Sequence, residues 1–153
     1  MADAVRGMVA DLIEAHWREL HLSLVMLGHG GVAASPLSPP ELQATRLADI
    51  EAALQVVVDW LRCPSLTEAD RFFHRLLDHS LARGPSAAEI NANIDLTKDL
   101  VARLVALYLA PEFAARALVE LERETMMSRL IVNNELLRRK VIFGKQNAER
   151  DGY

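Results

Sequence analysis

Cysteine is nearly absent from this chain, with Cys63 the only one among 153 residues. A lone thiol forms no intrachain disulfide and no cysteine-based zinc site, so the expected setting is a reducing one, the cytoplasm. Long apolar runs are missing as well. No stretch approaches the roughly 18 uncharged apolar residues of a membrane span, and Asp3 and Glu14 interrupt the pattern that an export signal would show. No membrane partner is therefore expected. Nor is there a basic field. The formal net charge is −4 and the cations are interspersed with acids, which argues against nucleic acid as a partner. Aromatic residues supply 5%, few for a sandwich or barrel, while 51% hydrophobic against 25% charged residues excludes a disordered chain. Phosphate-binding loops, dinucleotide-binding glycine patterns, zincin motifs, nucleophile elbows and calcium loops are all missing, so the expectation is a non-enzyme.

Helical periodicity is abundant. Between a few breakers the apolar residues recur at three- and four-residue spacing, which predicts five helices and an all-α fold. The first runs from Ala4 to Leu27 and ends at Gly28, Gly30 and Gly31. A loop to Ser38 follows. Ser38 with Pro39, Pro40 and Glu41 starts the second helix, which spans Pro39 to Arg62 and buries Leu42, Leu47, Ile50, Leu54, Val57, Val58 and Leu61. Thr67 and Asp70 stand at cap spacing for the third, which Gly84 closes. Ser86 with Glu89 is a full capping box for the fourth, over Ala87 to Leu109, which buries Ile90, Ile94, Val101, Leu104, Val105 and Tyr108.

Pro111 with Glu112 starts a fifth helix that meets no glycine or proline until Gly144, about 33 residues and about 50 Å. A domain of this size has a radius of gyration of roughly 15 Å, so such a helix outruns its own domain. Its apolar residues Leu130, Ile131, Val132, Leu136, Leu137, Val141, Ile142 and Phe143 point in more directions than one buried stripe requires. A homodimer is the expected consequence, with Leu130, Val132, Leu137 and Val141 at its interface. The domain reading is 1–143 for the folded unit and 144–153 for an exit segment.

Acids on helices, among them Asp49 with Glu51 and the series Glu120, Glu122 and Glu124, read as solvated faces. His16 with His21, and His74 with His79, are five apart, a poor spacing for a two-histidine metal site, and His29 lies in the glycine-rich loop. No metal is expected. His79 shares a stripe with Phe72, Leu76 and Arg83 at the apolar margin of its helix, where a ring can turn inward as a ligand or sit as an ordinary margin histidine. Met126 and Met127 read as core filling.

The stretch from Trp60 to Tyr108, above all "ADRFFHRLLDHSLARGPSAAEINANIDLTKDL", resembles the region of sensor globins around the proximal-histidine helix and the helix after it. The order of the five helices is similar to globin helices B, E, F, G and H. The resemblance implies a globin-like bundle of five main helices with a long C-terminal helix used for dimerisation. In the haem-bearing branch a histidine stands four residues before the glycine that ends this helix. Ser80 holds that position here, beside His79, and "AHWRELHLSLVM" lacks the tyrosine that meets bound oxygen in that branch. The haem-free branch, the N-terminal domains of stressosome (RsbR-type) proteins, is the closer likeness. It implies a signal-input or interaction domain without cofactor, which passes a signal through its paired last helix to a downstream signalling domain or partner protein. The alternative it leaves is an oxygen-sensing globin domain with haem b on His79.

Overall fold

Six helices follow one another in the computed structural model, which describes residues 2–27, 40–83 and 87–150 and, within them, the side chains of 2–27, 47–78 and 88–140. They are α1 (Ala2–Ala15), α2 (Trp17–Leu27), α3 (Pro40–Arg62), α4 (Leu66–Arg83), α5 (Ala87–Tyr108) and α6 (Pro111–Arg150). Among the described residues there is no strand, so the chain is all-α, and no helix is long and apolar enough to cross a membrane.

The helix expected over Ala4–Leu27 is divided at His16. Helical hydrogen bonding continues through the division, with His16 N–H donating to Leu12 O and Leu20 N–H to His16 O, each at 3.0 Å. The His16 ring lies over Tyr108, with centroids 4.6 Å apart, at the far end of α5. Tyr108, expected in the core, is instead largely exposed beside that ring.

The cap of α4 also differs from expectation. The Glu68 amide donates to Ser65 Oγ at 3.3 Å, so the cap is Ser65 and not Thr67. Ser65 and Glu68 have the spacing of a full capping box, whereas Thr67 offers only the shorter Asp70 at the same offset. The Ser86 cap expected before α5 lies outside the described residues. At the start of α6 the Ala110 carbonyl accepts from Phe113 and Ala114, both at 2.9 Å, while Pro111 needs no partner for a missing N–H. Gly144 does not stop this helix, which reaches Arg150. A single helical glycine costs only about 1 kcal/mol relative to alanine, and good helix formers follow it.

Side-chain pairs fix the direction of packing. On α5 and α6, Asn91 meets Asn133, Asp95 meets Arg129 and Lys98 meets Glu122, so the two run antiparallel. On α4 and α6, His74 meets Glu135 and Asp78 meets Arg139, so these run parallel. Arg62 of α3 reaches back to Asp11 and Glu14 of α1.

Two apolar clusters result. The larger joins Val5, Val9 and Ile13 of α1 with Leu54, Val58 and Leu61 of α3, Val101 and Val105 of α5, and Leu121 of α6. The smaller is made by Phe73 and Leu77 of α4, Ile90 of α5 and Val132 of α6. Among the described residues, only α5 and α6 contribute buried residues to both. Leu54→Ala in the first and Leu77→Ala in the second are each expected to cost about 3 kcal/mol, measured by urea unfolding. Each variant should still unfold in one transition, because α5 and α6 couple the clusters. Two resolved transitions would mean that the clusters are independent.

Candidate functional site

The site is built on α6, whose 40 residues present different chemistry on each side. Its inward face is apolar at Ala117, Leu121 and Val132, but between the last two it carries Glu124, Thr125 and Ser128, all buried. The Thr125 hydroxyl donates to Leu121 O at 2.9 Å. Ser128 Oγ donates to Glu124 Oε1, also at 2.9 Å. Burial removes water from Glu124 and raises its pKa to about 7, against the opposing pull of the Ser128 hydroxyl. Glu120 is covered as well, lying 3.5 Å from Arg6 of α1 and 3.0 Å from Arg123. Of the three acids expected on a solvated face, Glu120 and Glu124 are thus interior and Glu122 alone is partly exposed.

Two and three turns beyond Ser128, a charge cluster ties α6 to α4. Glu135 accepts from Arg138 Nη2 at 2.6 Å, from Arg138 Nε at 3.0 Å and from Arg139 Nε at 3.0 Å. His74 Nε2 stands 2.9 Å from the same carboxylate, and His74 Nδ1 is 3.0 Å from the Asp70 carbonyl. Both ring nitrogens face acceptors. Hydrogen bonding from Arg138 is the main reason that the Glu135 pKa falls to about 2, with Arg139 and the charge of His74 adding to it. Neither Glu135 nor His74 stood out in the sequence as part of a site. The local signals were the four-residue spacing of Asp70 and His74 and the three- and four-residue spacing of Glu135 from Arg138 and Arg139.

The outward face of α6 is apolar where water should meet it. Val119 is 52% exposed, Met126 59%, Leu130 62% and Leu137 63%. Their positions alternate steps of four and three around Arg123 and Asn133, the spacing of a helical seam. Leu130 and Leu137 therefore stand where a partner can reach them. Val132 does not, since it is 0% exposed within the smaller cluster and has no surface to offer a second chain. It points inward because it lies two residues from Leu130, about 200° around the helix. Val141 lies outside the described side chains. Met126, expected to fill the core, is on the exposed face, while Met127 is buried. At the start of α6 a shallow hollow of about 400 Å³ is lined by Ala2, Ala115, Arg116, Val119, Glu120 and Arg123.

His79 falls within α4, and its side chain is outside the described ones. Phe73, Leu77, Ile90 and Val132 pack on one another almost free of solvent, and His74 is engaged with Asp70 and Glu135. His16 is stacked on Tyr108, and His21 Nε2 is 3.3 Å from Leu47 O. Among the described residues no group of three or more histidine, cysteine or acidic side chains is placed to hold a metal ion.

Comparison with protein-family models, curated proteins and solved structures gives no match for this chain. The geometry of α6 is what carries a functional reading.

The buried carboxylates of Glu124 and Glu135 have opposite pH signatures. For Glu124 the folded-state pKa lies above the ordinary value of 4.5, so its penalty is absent below about pH 4.5 and grows as pH rises towards 7. Glu124→Gln should then gain up to about 3 kcal/mol at pH 8 and nothing at pH 4. Urea unfolding at the two pH values checks this, and an equal effect at both would place the carboxylate in water. For Glu135 the folded-state pKa is depressed, so its contribution is present above the ordinary 4.5 and lost as pH falls towards 2. Glu135→Gln should cost about 1–3 kcal/mol at pH 7, with the difference shrinking on acidification below pH 4.5.

Proposed function

We propose that this chain is a globin-like, haem-free signal-input or interaction domain that pairs with a second copy of itself through α6. The packing of the paired helices carries the signal, through the segment from residue 144 onward, to a downstream signalling domain or partner protein. The domain acts by binding and repacking, not by catalysis.

One observation carries this reading: Met126, Leu130 and Leu137 are more than half exposed on a helix that forms the spine of the fold. Burying each of them is worth about 2 kcal/mol. Their surroundings do not explain them as core residues, because the same helix turns Leu121 and Val132 fully inward. Large apolar side chains exposed in one helical register on a well-packed helix are the mark of an interface. Signalling by such a pair needs two helix packings of similar energy, one of them favoured by the bound signal. The buried polar interval at Glu124, Thr125 and Ser128 supports that requirement, since a helix seated on polar contacts has less apolar packing to lose on shifting.

The haem-binding alternative rests on His79, and the described side chains around α4 do not add to it. Two measurements separate the readings. Leu130→Glu with Leu137→Glu should convert a dimer into a folded monomer, raising the dissociation constant at least about 100-fold, as read by light scattering with circular dichroism as the control for folding. Retention of the dimer by that variant would move the interface elsewhere. Haem added to the unaltered chain should give no Soret band. A band that disappears in His79→Ala would replace the present reading with the gas-sensor one.

A further inference from the structure

We infer that the second copy lies antiparallel along α6, with the two-fold axis crossing the outward face at the level of residue 128. This deepens the pairing proposed above, on which it rests, by giving the pair a direction.

The first ground is the order of residues along the exposed seam. Going outward from position 128, Met126 and Leu130 are each two residues away, Arg123 and Asn133 five, and Val119 and Leu137 nine. The seam reads the same in chemistry from either end, apolar, polar, apolar, apolar, polar, apolar. An antiparallel partner then sets Val119 against the partner's Leu137, Met126 against the partner's Leu130 and Arg123 against the partner's Asn133. In such a pair the apolar layers are continuous, and each arginine meets a carboxamide able to accept its hydrogen bond. A parallel partner would set Arg123 on the partner's Arg123 within the seam, two like charges that the antiparallel arrangement keeps apart.

Charge along the helix is the second ground. From 111 to 125, α6 carries Glu112, Glu120, Glu122 and Glu124 against Arg116 and Arg123. From 126 to 140 it carries Arg129, Arg138, Arg139 and Lys140 against Glu135 alone. Glu120 and Glu124 of the first part are buried on the inward side and Glu122 is paired with Lys98, so the charge left on the outside of the helix is the basic end at Arg138 and Lys140. Parallel pairing gathers the two basic ends together, whereas antiparallel pairing separates them, and placement of this kind selects orientation. The macrodipoles of two long helices favour the same choice.

The flank towards α5 does not oppose it. Glu122 is paired with Lys98 and Arg129 with Asp95 inside the chain, so these charges reach the seam already neutralised. One consequence concerns output. The C-terminal ends of the two α6 helices leave the seam at opposite ends, and a signal is delivered at two separated places.

Disulfide trapping tests the direction. Cys63 is exposed, so Cys63→Ser provides the background. Val119→Cys and Leu137→Cys are then made in separate chains, with circular dichroism confirming the helix content of the parent. The two positions are 18 residues apart, about 27 Å along the axis, far beyond the reach of a disulfide. On mild oxidation each variant alone should stay uncrosslinked, and an equimolar mixture after subunit exchange should give a covalent dimer in close to half of the chains. Crosslinking of each variant to itself, without the mixture, would overturn the antiparallel direction and leave the pairing intact. Absence of any crosslink, in the single variants and in the mixture, would overturn both. Should either cysteine reduce helix content, Arg123→Cys mixed with Asn133→Cys asks the same question.

Discussion

A helix of 40 residues is about 60 Å long, and a bundle of this size can cover only one side of it. That constraint organises the molecule. The inward side of α6 supplies Leu121 to the larger cluster and Val132 to the smaller, so the clusters are held in one body by the helices that cross both. With Leu121 and Val132 committed to the interior, Met126, Leu130 and Leu137 are turned outward by the helical repeat itself. The exposed apolar strip is thus the geometric counterpart of the core and not an independent feature of the surface.

Two buried acids of α6 act in opposite senses, Glu124 between the clusters and Glu135 beyond the smaller one. Glu135 is surrounded by Arg138, Arg139 and His74, and its charge is favoured where it sits. Glu124 has a hydroxyl from Ser128 to set against its loss of water, and its charge is disfavoured. An unpaired buried carboxylate is among the costlier groups that a core can hold. It lies on the stretch of α6 that also presents Met126 and Leu130 to solvent. The face that would receive a partner and the least comfortable part of the interior are therefore opposite sides of the same two turns. The contact from His74 to Glu135 fixes the next stretch against α4, so movement of α6 is more costly there.

Much of this architecture was legible in the residues. The three- and four-residue spacing gave the helical class, Pro111 with Glu112 marked the start of the last helix, and its apolar surplus was visible in Leu130 and Leu137. Less legible were features set by distant partners. Arg6 covers Glu120 from 114 positions away, so nothing near Glu120 in the chain announces its burial. Glu124 and Ser128 are spaced for a local hydrogen bond, but the rule that acids on helices are solvated pointed the wrong way, because the face they share with Leu121 is the inward one. Val132 was misassigned to the interface for a related reason. An apolar residue on a helix with two apolar sides belongs to either until the neighbouring helices are placed. Ser65 was passed over as a cap in favour of Thr67, although Ser65 with Glu68 is the better box. Gly144 was read as a stop, whereas one glycine does not outweigh the helix formers after it.

Signal, pairing and repacking all depend on the outward face of α6 being covered in solution by a second copy of the chain. Sedimentation equilibrium of the unaltered protein from nanomolar to tens of micromolar concentration addresses this most directly. A mass that rises to twice that of the chain and stops there is the predicted result. A mass of one chain throughout that range would contradict it.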